Sequence, residues 1–215
     1  MTKFEEKRVE HYLLRAGLPT QFDMLQAQLG DRITDFYNQK RVSAARRLIN
    51  NYSNIPLREN FDSHAQYLDR LKDYSPQSLF IHGPSGKGKT VFASWIIHNI
   101  ICEHPRFHTS AMFLNIPHWL ELMRPGRGVE GEDVLERASA ADILVLDDLG
   151  SEVLTQWVFE KLYLVYNTRR DGQLPTITTS NLSLGELEKV FQEKNDLGAA
   201  RLITRLAQAE SWLIA

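Results

Sequence analysis

The sequence predicts an α/β fold built on a parallel sheet, with a small helical extension ahead of it. Three observations predict it. From Ser78 onward, short apolar runs alternate with longer helical patterns, the rhythm of strand and helix units in a parallel sheet. The first of these runs leads straight into a glycine-rich loop that opens a helix. A later run, Ile143-Leu144-Val145-Leu146, ends in two consecutive carboxylates, Asp147 and Asp148.

Size and charge narrow the classes. A chain of 215 residues, 43% hydrophobic, suffices for one compact domain and a modest appendage. The net charge of -2 excludes a surface that is cationic throughout, so any nucleic-acid contact must be local. One cysteine, Cys102, excludes an internal disulfide framework, and the charged start MTKFEEKRVEH is unlike a secretory signal. The longest apolar runs, such as Ala93 to Cys102, are broken by Ser94, His98 and Asn99, too early for a bilayer span. A cytoplasmic protein without membrane association is expected.

The elements follow in order. Lys3 to Ala16 reads as a helix, Gly17-Leu18-Pro19 as a break, and Ile33 to Asn50 as a second helix with Phe36, Tyr37 and Leu48 at loosely helical spacing. Asn51 to Asn60 is turn-rich and precedes a helical pattern from Phe61 to Tyr74. The domain boundary is placed there, giving a helical extension over 1–52 and a nucleotide-binding domain over 53–215. Strands are expected at Ser78 to His82, Ser110 to Ile116, Asp142 to Asp147, Pro175 to Thr179 and Ser211 to Ile214. Helices are expected at Thr90 to Cys102, Pro117 to Met123, Glu132 to Ala140, Thr155 to Arg170 and Leu187 to Glu193. Tyr12, Leu13, Phe36 and Tyr37 are apolar residues on helices with no obvious core of their own, a pattern that suits a docking face for a protein partner. Removing residues 1 to 50 is therefore expected to leave nucleotide binding intact.

Gly83-Pro84-Ser85-Gly86-Lys87-Gly88-Lys89-Thr90 fits G-x-x-x-x-G-K-[ST], between a strand and a helix as that motif requires. Its glycines let successive N–H groups face phosphate oxygens, and the helix beginning at Lys89 and continuing through Val91 adds its positive end. Lys89 is expected to neutralise the β- and γ-phosphates of ATP, and Thr90 to ligate Mg²⁺. Asp147 at the end of the later strand is assigned to the metal and Asp148 to the attacking water. Either carboxylate alone would read as a solvated strand end; their position downstream of a phosphate loop gives them weight. Asn181, closing the run Leu174 to Asn181, is either a γ-phosphate contact or a simple cap. Cys102, His104 and His108 have metal-like spacing, but Pro105 interrupts them and no fourth ligand is evident, so a chance cluster is the better reading.

Further motifs carry a family resemblance. Leu146-Asp147-Asp148-Leu149-Gly150, Trp157 with Leu162-Tyr163 and Asn167-Thr168-Arg169, Thr179-Ser180-Asn181-Leu182, and Arg201-Leu202-Ile203-Thr204-Arg205-Leu206 resemble the DnaC/IstB group of AAA+ ATPases over roughly residues 55 to 210. The resemblance implies an ASCE-type P-loop domain with a five-stranded parallel sheet in the order 5-1-4-3-2. It also implies ATP hydrolysis, self-assembly, a DnaB-type replicative helicase as partner, and action on single-stranded DNA. It makes Asn181 the sensor and Arg205, with Arg201 beside it, the arginine finger offered to a neighbouring subunit. Without it, Arg201 and Arg205 read as an i, i+4 pair on a solvated helix face.

In that group a short helix after the second strand lies on single-stranded DNA, which points to Pro117 to Met123 with Arg124 and Arg127 as contacts. Trp119, Leu120 and Met123 have core-face spacing, so Trp119 is expected to be packed. Three departures from the group stand out. Lys87 replaces a small or hydroxyl residue and is expected to face solvent. With only a short stretch after Arg205, no helical lid is expected. The extension lacks a cysteine cluster for zinc, although Ala16-Gly17-Leu18-Pro19-Thr20-Gln21-Phe22 is similar to the sequence leading into these ATPase domains. Helicase loading is the first functional reading. Alternatives are a transposase helper ATPase, an ATP-gated adaptor with little hydrolysis, and a small-molecule kinase, the last disfavoured by the Asp-Asp strand end.

Overall fold

The computed structural model describes residues 3–53, 66, 78–103, 110–123, 130–151, 155–193 and 196–214. The helical pattern expected from Phe61 to Tyr74 lies outside them except for Gln66. The chain begins with α1 (Lys3–Ala16), α2 (Thr20–Leu29), a 3-10 segment (Gly30–Phe36) and α3 (Gln39–Ser53). Then come β1 (Leu79–His82), α4 (Lys89–Glu103), β2 (Ala111–Asn115), α5 (Ile116–Leu122), α6 (Glu130–Ala140) and β3 (Ile143–Leu149). The fold closes with α7 (Gln156–Asp171), β4 (Thr176–Ser180), α8 (Leu184–Gln192), α9 (Asp196–Leu206) and β5 (Glu210–Leu213).

The five strands form one sheet in the order β2-β3-β4-β1-β5, every pair parallel. This is the expected 5-1-4-3-2 order. Alternate residues of each strand go to opposite faces. Leu79, Ile81, Ile143, Val145 and Ile177 join the core beneath α4. Phe80, Met112, Leu144 and Leu146 join the core beneath α5 to α9, where Trp119 is buried as expected.

Helix α4 is apolar over most of its circumference, with Phe92, Ala93, Trp95, Ile96, Ile97, Ile100 and Ile101 all buried. Such a helix needs cover on more than one side. The sheet covers one side, and the N-terminal helices cover the other through Val9, Ala16, Phe22, Val42, Ala45 and Ile49 in the same cluster. The Phe22 ring lies 5.5 Å from that of His98, and the Arg46 guanidinium sits 5.4 Å from the centre of the Trp95 ring. This corrects one expectation. Tyr12, Leu13 and Tyr37 do have a core, because they pack against this cluster, and only Phe36 of that quartet stands clear, 74% exposed.

A second correction concerns the helix expected from Ile33 to Asn50. The 3-10 segment ends at Phe36, Tyr37 is extended, and the Asn38 side chain accepts the Lys40 N–H at 2.9 Å, a local turn that competes with a continuous helix. Helix α2 was not expected at all, although Phe22, Leu25 and Leu29 have helical spacing.

Strand β4 is buried along its whole length yet polar, so each hydroxyl needs a partner. Tyr166 Oη and Thr178 Oγ1 are 2.7 Å apart, and Ser180 Oγ donates to Leu149 O at 2.7 Å. Arg169, fully buried, donates to Thr176 Oγ1 and to the carbonyls of Ala138, Ala141 and Pro175 at 2.6 to 2.9 Å. That guanidinium ties the end of α6 to the start of β4.

Candidate functional site

The C-terminal ends of β1, β3 and β4 converge on a cleft of about 310 Å³, as ligand sites do in open parallel sheets. Its lining includes Ser85, Gly86, Gly88, Lys89, Thr90, Val91, Asp147, Asp148, Thr179 and Asn181. The loop from Gly83 to Gly88 turns sharply because its three glycines take φ of +142° (Gly83), +76° (Gly86) and +83° (Gly88). At Gly83 a side chain has no room. A Cβ there would fall 1.9 Å from Ile214 O, because the Ile214 N–H donates to His82 O at 2.7 Å just beyond β5.

Lys89 opens α4 and is 7% exposed. Its ammonium donates to Gly83 O and Pro84 O, each at 2.9 Å, and to Asn181 Oδ1 at 2.7 Å. Burial holds its pKa below the ordinary lysine value, while Asp148 and Asp147 draw it back up. Lys87 is exposed, as expected.

Asp147 is 5% exposed, and one carboxylate oxygen accepts both Thr90 Oγ1 at 2.8 Å and Thr179 Oγ1 at 2.7 Å. Burial raises its pKa above the usual carboxylate range, and the hydrogen bonds from Thr179, Thr90 and Asn115 oppose that rise. The Thr90 hydroxyl and the Asp147 carboxylate are adjacent oxygen donors at the edge of the phosphate loop. That set suits Mg²⁺, which keeps several waters and takes few protein ligands besides phosphate.

Strand β3 continues past the expected end at Asp147, with a register shift against β4 between Leu146 and Leu149. The cause is Asp148, whose φ of +68° is rare for a residue with a side chain. Its N–H donates to Thr179 Oγ1 at 3.0 Å, and its carboxylate accepts Asn181 Nδ2 at 3.1 Å. Asn181 therefore bridges Lys89 and Asp148.

Arg205 lies away from this cleft. It lines a separate cavity with Ser78, the residue before β1, at the opposite end of that strand from Gly83. Its Nη2 donates to Asn167 Oδ1 at 3.1 Å, and its guanidinium lies 5.8 Å from the centre of the Tyr163 ring, so α7 holds it. Arg201, one turn earlier, is exposed. Arg124, Arg127, His104 and His108 lie outside the described residues.

Sequence reasoning missed two residues here. Gln21 lines the cleft from α2, and Tyr37 donates its hydroxyl to Gly88 O at 2.8 Å. Gln21 stands within the quoted run Ala16 to Phe22, but nothing in the residue pattern aimed it at the loop.

Fold and cleft together define a P-loop nucleotide-binding domain of the AAA+ type. The sequence profile of the IstB-like ATP binding proteins matches residues 66–211, and the chain belongs to that family. It is 33% identical over 149 residues to the replicative helicase loader DnaI of Bacillus subtilis (strain 168), covering 64% of this chain and 47% of that protein. The chain thus spans about half the length of that curated relative. Among solved structures, a Streptococcus pyogenes serotype M3 protein described as a candidate primosome component superposes with a TM-score of 0.62 at 19% identity, over 95% of this chain and 94% of that one. A DnaI crystal structure gives 0.55 at 21%, over 79% and 90%. Domain III of the Thermotoga maritima replication initiation protein DnaA gives 0.52 at 19%, over 78% and 66%. These likenesses establish the fold. No helix among the described residues is long and apolar enough to cross a membrane.

Proposed function

We propose that the chain is an ATPase that loads a replicative helicase of the DnaB type, working as an assembly on single-stranded DNA. The observation that carries this reading is the bridge from Lys89 through Asn181 to Asp148, beside the Thr90–Asp147 pair. A buried cation, a hydroxyl–carboxylate pair and a second carboxylate around one cleft support the hydrolytic part of this reading, because in-line attack of water on a terminal phosphoryl group needs a phosphate-binding cation, a metal ligand set and a base.

Lys89 meets the β- and γ-phosphates and exchanges its bonds to the loop carbonyls for bonds to phosphate oxygens. Thr90 and Asp147 hold Mg²⁺, which when bound neutralises charge developing on the phosphate oxygens. Asp148 orients the attacking water, and Asn181 holds Asp148 toward it while contacting the γ-phosphate. Arg205, remote from its own cleft, serves the nucleotide of an adjoining subunit, so turnover depends on assembly. Arg124 and Arg127 contact the DNA backbone.

The likeness to DnaI of Bacillus subtilis supports the loader reading over the adaptor and kinase readings. The family match supports a second one, a helper ATPase for a transposase. Co-precipitation of the full chain with the host's replicative helicase, with and without ATP, separates them. ATP-dependent capture of the helicase is expected; no capture, with capture of a transposase instead, would transfer the chain to the second reading.

A further inference from the structure

The N-terminal helices do more than cover α4. Tyr37 sits between the 3-10 segment and α3 in extended backbone, φ -118° and ψ 152°, with its N–H donating to Thr34 O at 3.1 Å. From there its ring reaches the first turn of α4 and packs 4.5 Å from Phe92. Its hydroxyl donates to Gly88 O at 2.8 Å, across 51 residues of chain. The same oxygen accepts the Phe92 N–H at 2.9 Å, the bond that starts α4, so both its acceptor positions are taken.

A Cβ at Gly88 would meet the Tyr37 hydroxyl at 2.7 Å. The tyrosine therefore occupies the space a side chain would need, in addition to the positive φ. Burial pushes the Tyr37 hydroxyl well above the ordinary tyrosine pKa, so it stays a protonated donor.

The geometry has a direct consequence for the loop. The Gly88 carbonyl and the Lys89 N–H belong to one planar peptide and point in opposite directions. Anchoring the oxygen fixes where that N–H points, and it is one of the first amides of α4, which have no partner within the helix and suit an anion.

We propose that Tyr37 is a positioning residue of the nucleotide site, and that its hydroxyl couples the N-terminal helical layer to phosphate binding through the Gly88–Lys89 peptide. This rests on the reading of Gly83 to Thr90 as that site. Whatever shifts α3 changes nucleotide affinity, and by reciprocity nucleotide tightens the N-terminal layer. A partner bound to α1–α3 is thereby sensed at the phosphates without touching them.

The experiment compares the full chain with Tyr37→Phe, which keeps the ring on Phe92 and removes only the hydroxyl. Mg-ATP affinity is measured by calorimetric titration, and amide hydrogen exchange is followed with and without nucleotide. The expected result is a dissociation constant raised about fivefold, the loss of one neutral hydrogen bond. With it, the slowing of exchange that nucleotide causes over 37–45 in the parent is lost in Tyr37→Phe. A Tyr37 hydroxyl that serves stability alone would, on removal, lower the melting temperature and leave affinity and nucleotide-dependent protection unchanged, which overturns the proposal. A parent chain that fails to bind Mg-ATP overturns the reading of the site, and this coupling with it.

Discussion

Gly83→Ala adds one methyl group at the point where the phosphate loop leaves β1, and its cost follows from the geometry. The new carbon would lie 1.9 Å from Ile214 O, so β5 must retreat by about 1.5 Å to reach ordinary contact at 3.4 Å. That retreat breaks the Ile214 to His82 hydrogen bond of 2.7 Å, at about 1 kcal/mol. It also loosens the packing of Trp212 and Ile214, 6% and 5% exposed. A φ of +142° strains alanine by about 1–3 kcal/mol more. The whole is about 3–5 kcal/mol, or a melting temperature lowered by about 10 °C in a chain of this size. Thermal unfolding followed by circular dichroism reads it directly. A melt within about 2 °C of the parent would refute the close approach of β5 to the loop.

Other perturbations separate stability from chemistry. Arg169→Met should lose about 3–5 kcal/mol in urea denaturation, because three buried carbonyls and Thr176 lose their donor; an unchanged midpoint would contradict the tie between α6 and β4. Deleting residues 1 to 50 bares the outer side of α4, so the shortened chain should aggregate or melt without cooperativity, and a soluble, ATP-binding product would argue for an independent domain after all. Asp148→Asn keeps a residue type that tolerates φ of +68°, so it should bind ATP and fold like the parent while hydrolysing at least tenfold more slowly, as single-turnover kinetics would register. Arg205→Ala should bind ATP yet lose most turnover, and mixing it with Lys89→Ala should restore part of it; unimpaired hydrolysis in Arg205→Ala would leave Arg205 as a residue of α9 that packs against α7.

Much of the fold was legible because parallel strands write themselves as short continuous apolar runs, and a phosphate loop constrains both sequence and context. Asp147 and Thr90 were found for that reason, and the structure joins them. What stayed hidden depends on contacts across long stretches of chain. Tyr37 reaches Gly88 over 51 residues, and no local pattern encodes that reach. The covering of α4 did leave a signal. A helix whose Phe92, Trp95, Ile96, Ile97 and Ile100 spread over most of its circumference needs cover beyond the sheet, and among the described residues the N-terminal helices supply it. The hydroxyls of β4 left another, since Thr176, Thr178, Thr179 and Ser180 on a buried strand require partners, and Asp147 is one of them. Asp148 could not be placed beforehand, because the backbone turn that brings it to Asn181 is set by tertiary structure.

The most direct measurement is the affinity of the full chain and of Lys89→Ala for ATP with Mg²⁺, by calorimetric titration. Lys89 contributes the buried cation of the loop, and a charge-assisted bond of this kind is worth about 1.5–3 kcal/mol, so its removal should weaken binding at least tenfold. Binding by the parent together with that loss is the predicted result. Equal affinity in the two chains, or no binding by the parent, would contradict the assignment of the cleft to ATP.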